Sequence, residues 1–171
     1  KKRVNLFATL KAKKPNHKAP IIFSGHTDVV PVSKGWSSDP FKATIKDDKL
    51  YGRGSCDMKG FIACVLAFAP IFSKSNLDRD INFSFTFDEE TACIGAPLLI
   101  DELKKRGFNK GICIVGEPTN MKIIDAHKGA YEYTTYFEGL AGHSSQPHKG
   151  VSAVEYAARY VNKLIELREK L

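Results

Sequence analysis

The sequence predicts an α/β fold, a mostly parallel sheet with helices on its faces. Two observations predict it. Apolar β-branched and aromatic runs alternate along the chain with longer helical patterns, in the order strand, helix, strand, helix, strand. Several of these runs also end abruptly in polar turns that carry histidine or acids. IIFSGHTD leads to His26 and Asp28, INFSFTFD runs into Glu89 and Glu90, and GICIVG runs into Glu117. In open α/β sheets, ligands bind outside the carboxyl ends of the strands. One imidazole and several carboxylates at such ends are the side chains a metal site uses.

Taken in order, residues 4–10 read as a strand and LKAKKPNHKAP as an exposed turn. Residues 21–24 form a buried strand, and residues 31–41 a loop with Trp36, Pro40 and Phe41. Residues 43–45 and 49–51 flank Asp47 and Asp48, which suggests a hairpin. Gly52 and Gly54 precede Asp57 and allow backbone shapes that other residues avoid. An apolar helix over residues 58–73 is expected to fray or kink at Pro70. Ile81, Phe83, Phe85 and Phe87 alternate with polar residues, the period of a strand. Residues 95–106 read as a helix stopped by Gly107, then residues 111–115 and 122–126 as strands. Past His127 the texture changes. Residues 129–140 are tyrosine-rich and alternating, like an antiparallel strand, GHSSQPHKG is a loop, and residues 151–169 form an amphipathic helix. A strand, loop and helix cannot bury an apolar face alone, so this segment reads as the first piece of a second domain. Both ends of the sequence read as cuts through a larger protein.

Composition narrows the function classes. With 171 residues and 43% hydrophobic content, the chain can bury a core. The formal charge of +7 does not imply nucleic acid, because the basic residues are scattered among carboxylates rather than gathered in a patch. The longest apolar run, Phe61 to Phe72, falls short of the roughly 20 residues that span a bilayer. No membrane partner is expected. Cys56, Cys64, Cys93 and Cys113 form no CxxC pair and read as reduced thiols of a cytosolic protein.

The acidic turns carry the chemistry. A lone histidine after a strand is more often structural than a ligand. Asp28 beside His26 changes that balance, because a carboxylate near a ligating imidazole fixes its tautomer and raises its basicity. Asp57 has two readings, a helix N-cap or a ligand at a helix N-terminus. Asp88, Glu89 and Glu90 would repel one another without a cation. In extended chain, neighbouring side chains point opposite ways, so one glutamate could hold metal while the other faces a substrate water. Glu117 supplies one more oxygen. Carboxylates with one imidazole suit Zn²⁺ or a similar divalent ion.

SGHTDVVPV, WSSDPF, LYGRGSCDMKG, FDEET, GEPT and GHSSQP with GVSAVE, in this order, resemble the M20 family of zinc metallopeptidases and deacylases. That family includes acetylornithine deacetylase, succinyl-diaminopimelate desuccinylase and glutamate carboxypeptidases. GEPT followed by AHKG, and GHSSQP followed by GVSAVE, look most like the acetylornithine branch, with the desuccinylase as the runner-up.

The resemblance implies a three-layer α/β/α zinc-hydrolase domain of the aminopeptidase-like kind over residues 1–127. Residues 128–171 would begin an α+β, ferredoxin-like lid and dimerisation domain. It implies hydrolysis of a small N-acyl amino acid, N2-acetyl-L-ornithine giving L-ornithine and acetate, in a cytoplasmic homodimer. A metal-binding or dimerising segment without turnover is the alternative from another class. His26, Asp57 and Glu117 would hold one zinc, and Asp57 would bridge to a second that Glu90 also binds; cobalt is a possible substitute. Asp28 would orient His26, Glu89 would act as general base, and His143 would steady the oxyanion. The family takes one more histidine for the second zinc from further along a longer chain, and here only His148, in a loop, is uncommitted. The resemblance also implies a cis peptide between Asp57 and Met58.

Overall fold

The structure is a computed structural model that describes residues 2–14 and 17–171. It divides into two compact units, Lys1–Ile124 and Asp125–Leu171.

The first unit is built on a four-stranded sheet. Its strands are β1 (Leu6–Leu10), β2 (Ile21–His26), β5 (Ile81–Thr86) and β6 (Ile112–Val115), in the spatial order β1-β5-β2-β6. β2 runs parallel to both β5 and β6, while β1 is antiparallel to β5. The expected α/β class, with its mostly parallel sheet, is the observed one. Part of the expected turn between β1 and β2, Pro15 and Asn16, lies outside the described residues.

Every residue of β5 is buried, including Asn82, Ser84 and Thr86. The alternation in its sequence therefore marks two covered faces rather than one wet face. Asn82 is kept satisfied there: its Oδ1 accepts from the Thr9 hydroxyl at 2.7 Å and its amide donates to the Ile21 carbonyl at 3.4 Å. Such pairing is what makes a buried amide tolerable. Ile81, Phe83 and Phe85 meet Val65 in the core, with Phe23, Phe61, Ile62 and Phe72 packed around them.

Helix α1 (Lys59–Lys74) packs on β2, and α2 (Gly95–Lys105) packs against β5. Pro70 lies inside α1 without ending it. The helix runs on to Lys74, so the expected fraying does not occur: burial of Val65, with Phe61, Ile62, Ala69 and Phe72 against the core, outweighs one lost backbone bond. β3 (Thr44–Lys46) and β4 (Lys49–Tyr51) form the expected hairpin. Asp47 and Asp48 both take positive φ, 50° and 55°, the geometry of a type I′ turn. The peptide between Asp57 and Met58 is cis. Met58 is fully buried, and its sulfur accepts from the His26 amide at 3.2 Å.

Two expected strands are absent. Residues 122–126 and 129–139 are irregular and largely exposed. A strand needs a partner for its backbone groups, and no described segment pairs with either one. Their alternation is a side-chain pattern without a ladder. In the second unit, Leu140 and Val151 exchange backbone bonds of 3.0 and 2.9 Å and close the loop that holds a short 3-10 turn, Pro147–Lys149. Helix α3 (Ala153–Arg168) follows, capped by Ser152, whose hydroxyl accepts from the Glu155 amide. That is half of a capping box.

Candidate metal centre

Parallel pairing builds the site. β2, β5 and β6 point the same way, so their carboxyl ends share one edge. The register sets His26 opposite Thr86, and Ser24 opposite Val115. The turn after β5 thus delivers Glu89 and Glu90 beside the end of β2, and the turn after β6 delivers Glu117. The glycine turn before α1 brings in Asp57. At Gly116 a side chain would lie 1.9 Å from the Phe61 ring, so only glycine lets the end of β6 lie against α1.

His26 is the centre of the cluster and is 2% exposed. Its Nε2 faces Asp57 Oδ1 at 3.0 Å, with Glu89 Oε2 and Glu117 Oε1 each at 3.8 Å. The Asp57 carboxylate is therefore on the imidazole and is not the cap of α1, whose N-cap, Met58, has no side-chain bond. Burial pulls the His26 pKa down, but the Asp57 bond and the charges of Glu117 and Glu89 outweigh it and hold it above the usual value. Burial, then the charge of Asp57, pushes Glu117 up.

Potential ligand atoms of His26, Asp57 and Glu117 all lie within 4.8 Å of one another, and so do those of His26, Glu89 and Glu90. The tautomer shows that a cation fits. His26 Nδ1 lies 3.0 Å from the main-chain carbonyl of Asp28, which can only accept, so Nδ1 carries a proton. In the neutral ring, Nε2 then turns a lone pair toward three carboxylates. Either a second ring proton, donated from Nε2 to Asp57 Oδ1, or a bound cation supplies the positive charge these carboxylates call for, and one imidazole with several carboxylates is a donor set for zinc-like ions.

Three features escape sequence reasoning. Asp28, read there as a partner of the imidazole, uses its carbonyl for the ring. Its carboxylate accepts instead from the amides of Glu89 at 3.1 Å and Glu90 at 3.0 Å. Asp88, expected to add to a repelling acidic trio, is buried and ion-paired with Arg3. Met58 is the floor under His26. The Asp28 links to Glu89 and Glu90, the Arg3–Asp88 pair and the Met58–His26 contact all join residues far apart in the chain, and local sequence carries no signal for them.

His143 belongs to the second unit. The Ser145 amide donates to its Nδ1 at 3.2 Å, and the Ser145 hydroxyl lies 2.8 Å from the same nitrogen. An N–H can only donate, so the neutral ring carries its proton on Nε2.

A model of Peptidase family M20/M25/M40 matches residues 22–169. The chain belongs to this family. Within it, the chain is 40% identical to acetylornithine deacetylase of Pasteurella multocida over 152 residues, 88% of this chain and 39% of that protein. It is 38% identical to acetylornithine deacetylase of Proteus mirabilis over 170 residues, 99% and 42%. It thus spans about two fifths of the curated relatives it matches. Among solved structures it resembles an M20 family metallo-carboxypeptidase from Sulfolobus solfataricus, with TM-score 0.55 and 25% identity over 66% of this chain and 25% of that one. It also resembles human carnosine dipeptidase 1, with TM-score 0.54 and 31% identity over the same shares. M20 membership implies a divalent metal, generally zinc, and the donor set around His26 suits one. No helix among the described residues is long and apolar enough to cross a membrane.

Proposed function

We propose that this chain is part of a cytoplasmic amidohydrolase that converts N2-acetyl-L-ornithine and water to L-ornithine and acetate. One observation carries the chemistry: a buried imidazole whose outward nitrogen faces the three carboxylates of Asp57, Glu89 and Glu117. His26, Asp57 and Glu117 would hold one zinc. Asp57 and Glu90 would serve a second, for which cobalt could substitute. The chemistry a metal held by these residues would supply is polarisation of the amide carbonyl and acidification of a water near neutral pH. Glu89, at the edge of the cluster, would take the proton from the attacking water and return it to the leaving amine. His143, with its proton on Nε2, donates to the oxyanion. The preference for an acetyl group on ornithine rests on the two deacetylase relatives. The second unit belongs to a lid domain through which the whole protein dimerises.

The test is zinc titration followed by assay on N2-acetyl-L-ornithine and N-succinyl-L,L-diaminopimelate. Tight binding of one zinc equivalent with faster turnover of the acetyl substrate supports the reading. Faster turnover of the succinyl substrate assigns the neighbouring branch of the family. Zinc binding without turnover of either assigns the chain a metal-binding role alone.

A further inference from the structure

We propose that the Asp28 carboxylate is the positioning group for the Glu89–Glu90 turn. The inference rests on the roles given above to Glu89 and Glu90. The geometry divides Asp28 into two functions. Its main-chain carbonyl takes the Nδ1 proton of His26 at 3.0 Å, while its nearer carboxylate oxygen is 3.6 Å from Nδ1, beyond hydrogen-bond reach. The two carboxylate oxygens are used elsewhere. Oδ1 accepts from the Glu89 amide and Oδ2 from the Glu90 amide. Two successive backbone N–H groups thus converge on one anion, each with its own oxygen.

That turn needs such a clamp. Asp88, Ala92 and Cys93 have φ of 52°, 75° and 54°, left-handed backbone that these residues adopt only when the surroundings enforce it. Other supports hold the flanks. Arg3 pairs with Asp88, Asn5 donates to the Gly95 carbonyl at 2.8 Å, and the Gly95 amide donates to the Phe87 carbonyl at 3.1 Å. At Glu89 and Glu90 themselves, Asp28 is the amide acceptor among the described residues. Their side chains project from the two amides it fixes, so it sets where the base and the ligand stand.

The experiment is NMR on the chain with and without zinc, comparing Asp28→Asn with the unmodified protein. A carboxamide keeps the shape and the main-chain carbonyl but turns an N–H toward one of the two amides. Amide exchange at Glu89 and Glu90 should rise about tenfold or more. The His26 ¹⁵N pattern should keep its Nδ1–H form. In the unmodified protein, couplings across the hydrogen bonds should link the Glu89 and Glu90 amide nitrogens to the Asp28 side-chain carboxyl carbon, a readout that does not depend on the variant folding. With substrate, kcat should fall while KM stays within about twofold. Unchanged exchange, absent couplings, or a His26 tautomer that switches while the two amides stay protected would overturn the inference. The NMR results need no turnover, so an absence of zinc-dependent hydrolysis in the unmodified chain would count against the hydrolase reading and leave the positioning result standing.

Discussion

At the scale of single residues, the centre is a set of charges that make sense only together. If Glu89 is the base and Glu90 a ligand, replacing each by glutamine separates their roles. Glu89→Gln should lower any hydrolysis by at least about 100-fold with zinc affinity nearly intact, because shape is kept and the proton acceptor is lost. Glu90→Gln should instead weaken a second metal, and calorimetric titration distinguishes the two. For His143, ¹⁵N spectra should show the neutral ring with its proton on Nε2, since the Ser145 amide already donates to Nδ1. Away from the site, Asp80 accepts from Lys11 Nζ at 2.7 Å and from the Ala12 amide at 2.8 Å. The Lys11 bond, followed by that amide, lowers its pKa. A group with a lowered folded pKa stabilises above its unfolded value and loses that contribution as pH falls through the folded one. Asp80→Asn should cost about 1 kcal/mol at neutral pH. It should also flatten the loss of stability below about pH 4, as read by urea denaturation across pH.

At the scale of elements, the contact between the end of β6 and α1 links core packing to the site. Gly116 lies directly before Glu117 and has no room for a side chain beside the Phe61 ring. Gly116→Ala should therefore move either the ring or the strand end. The expected loss is about 1–3 kcal/mol of stability, the usual cost of overpacking, with a lower zinc affinity as Glu117 shifts. Phe61→Leu in the same chain should recover part of both, which calorimetry and thermal melts can measure. Legibility also differs by element. β2, the hairpin and the three helices were readable because hydrophobic period, turn residues and caps act locally. The irregular residues 129–139 were not, since their alternation fits a strand that finds no partner here.

At the scale of the whole molecule, the first unit holds the candidate metal centre and a buried strand, β5, while the second exposes apolar side chains along α3. Val154, Val161, Leu164 and Ile165 are all exposed there. A face of that kind favours self-association. Sedimentation should show mass rising with concentration, and Val161→Glu should shift the chain toward monomer. Hydrogen exchange should be faster over residues 129–171 than over β5, whose amides are buried in the core.

The sequence by itself determined the fold class and the residue types of the centre. Runs of β-branched and aromatic residues specify strands, and a polar turn directly after each run puts His26, Glu89, Glu90 and Glu117 at strand ends, whatever the details of packing. Family motifs then supplied an expectation for every role. Only the tertiary structure decided which atom meets which. Asp28 serves His26 through its carbonyl and the glutamate turn through its carboxylate. Asp88 leaves the acidic cluster for Arg3. The physical reason is separation along the chain. These partners are brought together by parallel register and by the approach of β1 to β5, and a local pattern of side chains carries no record of that register.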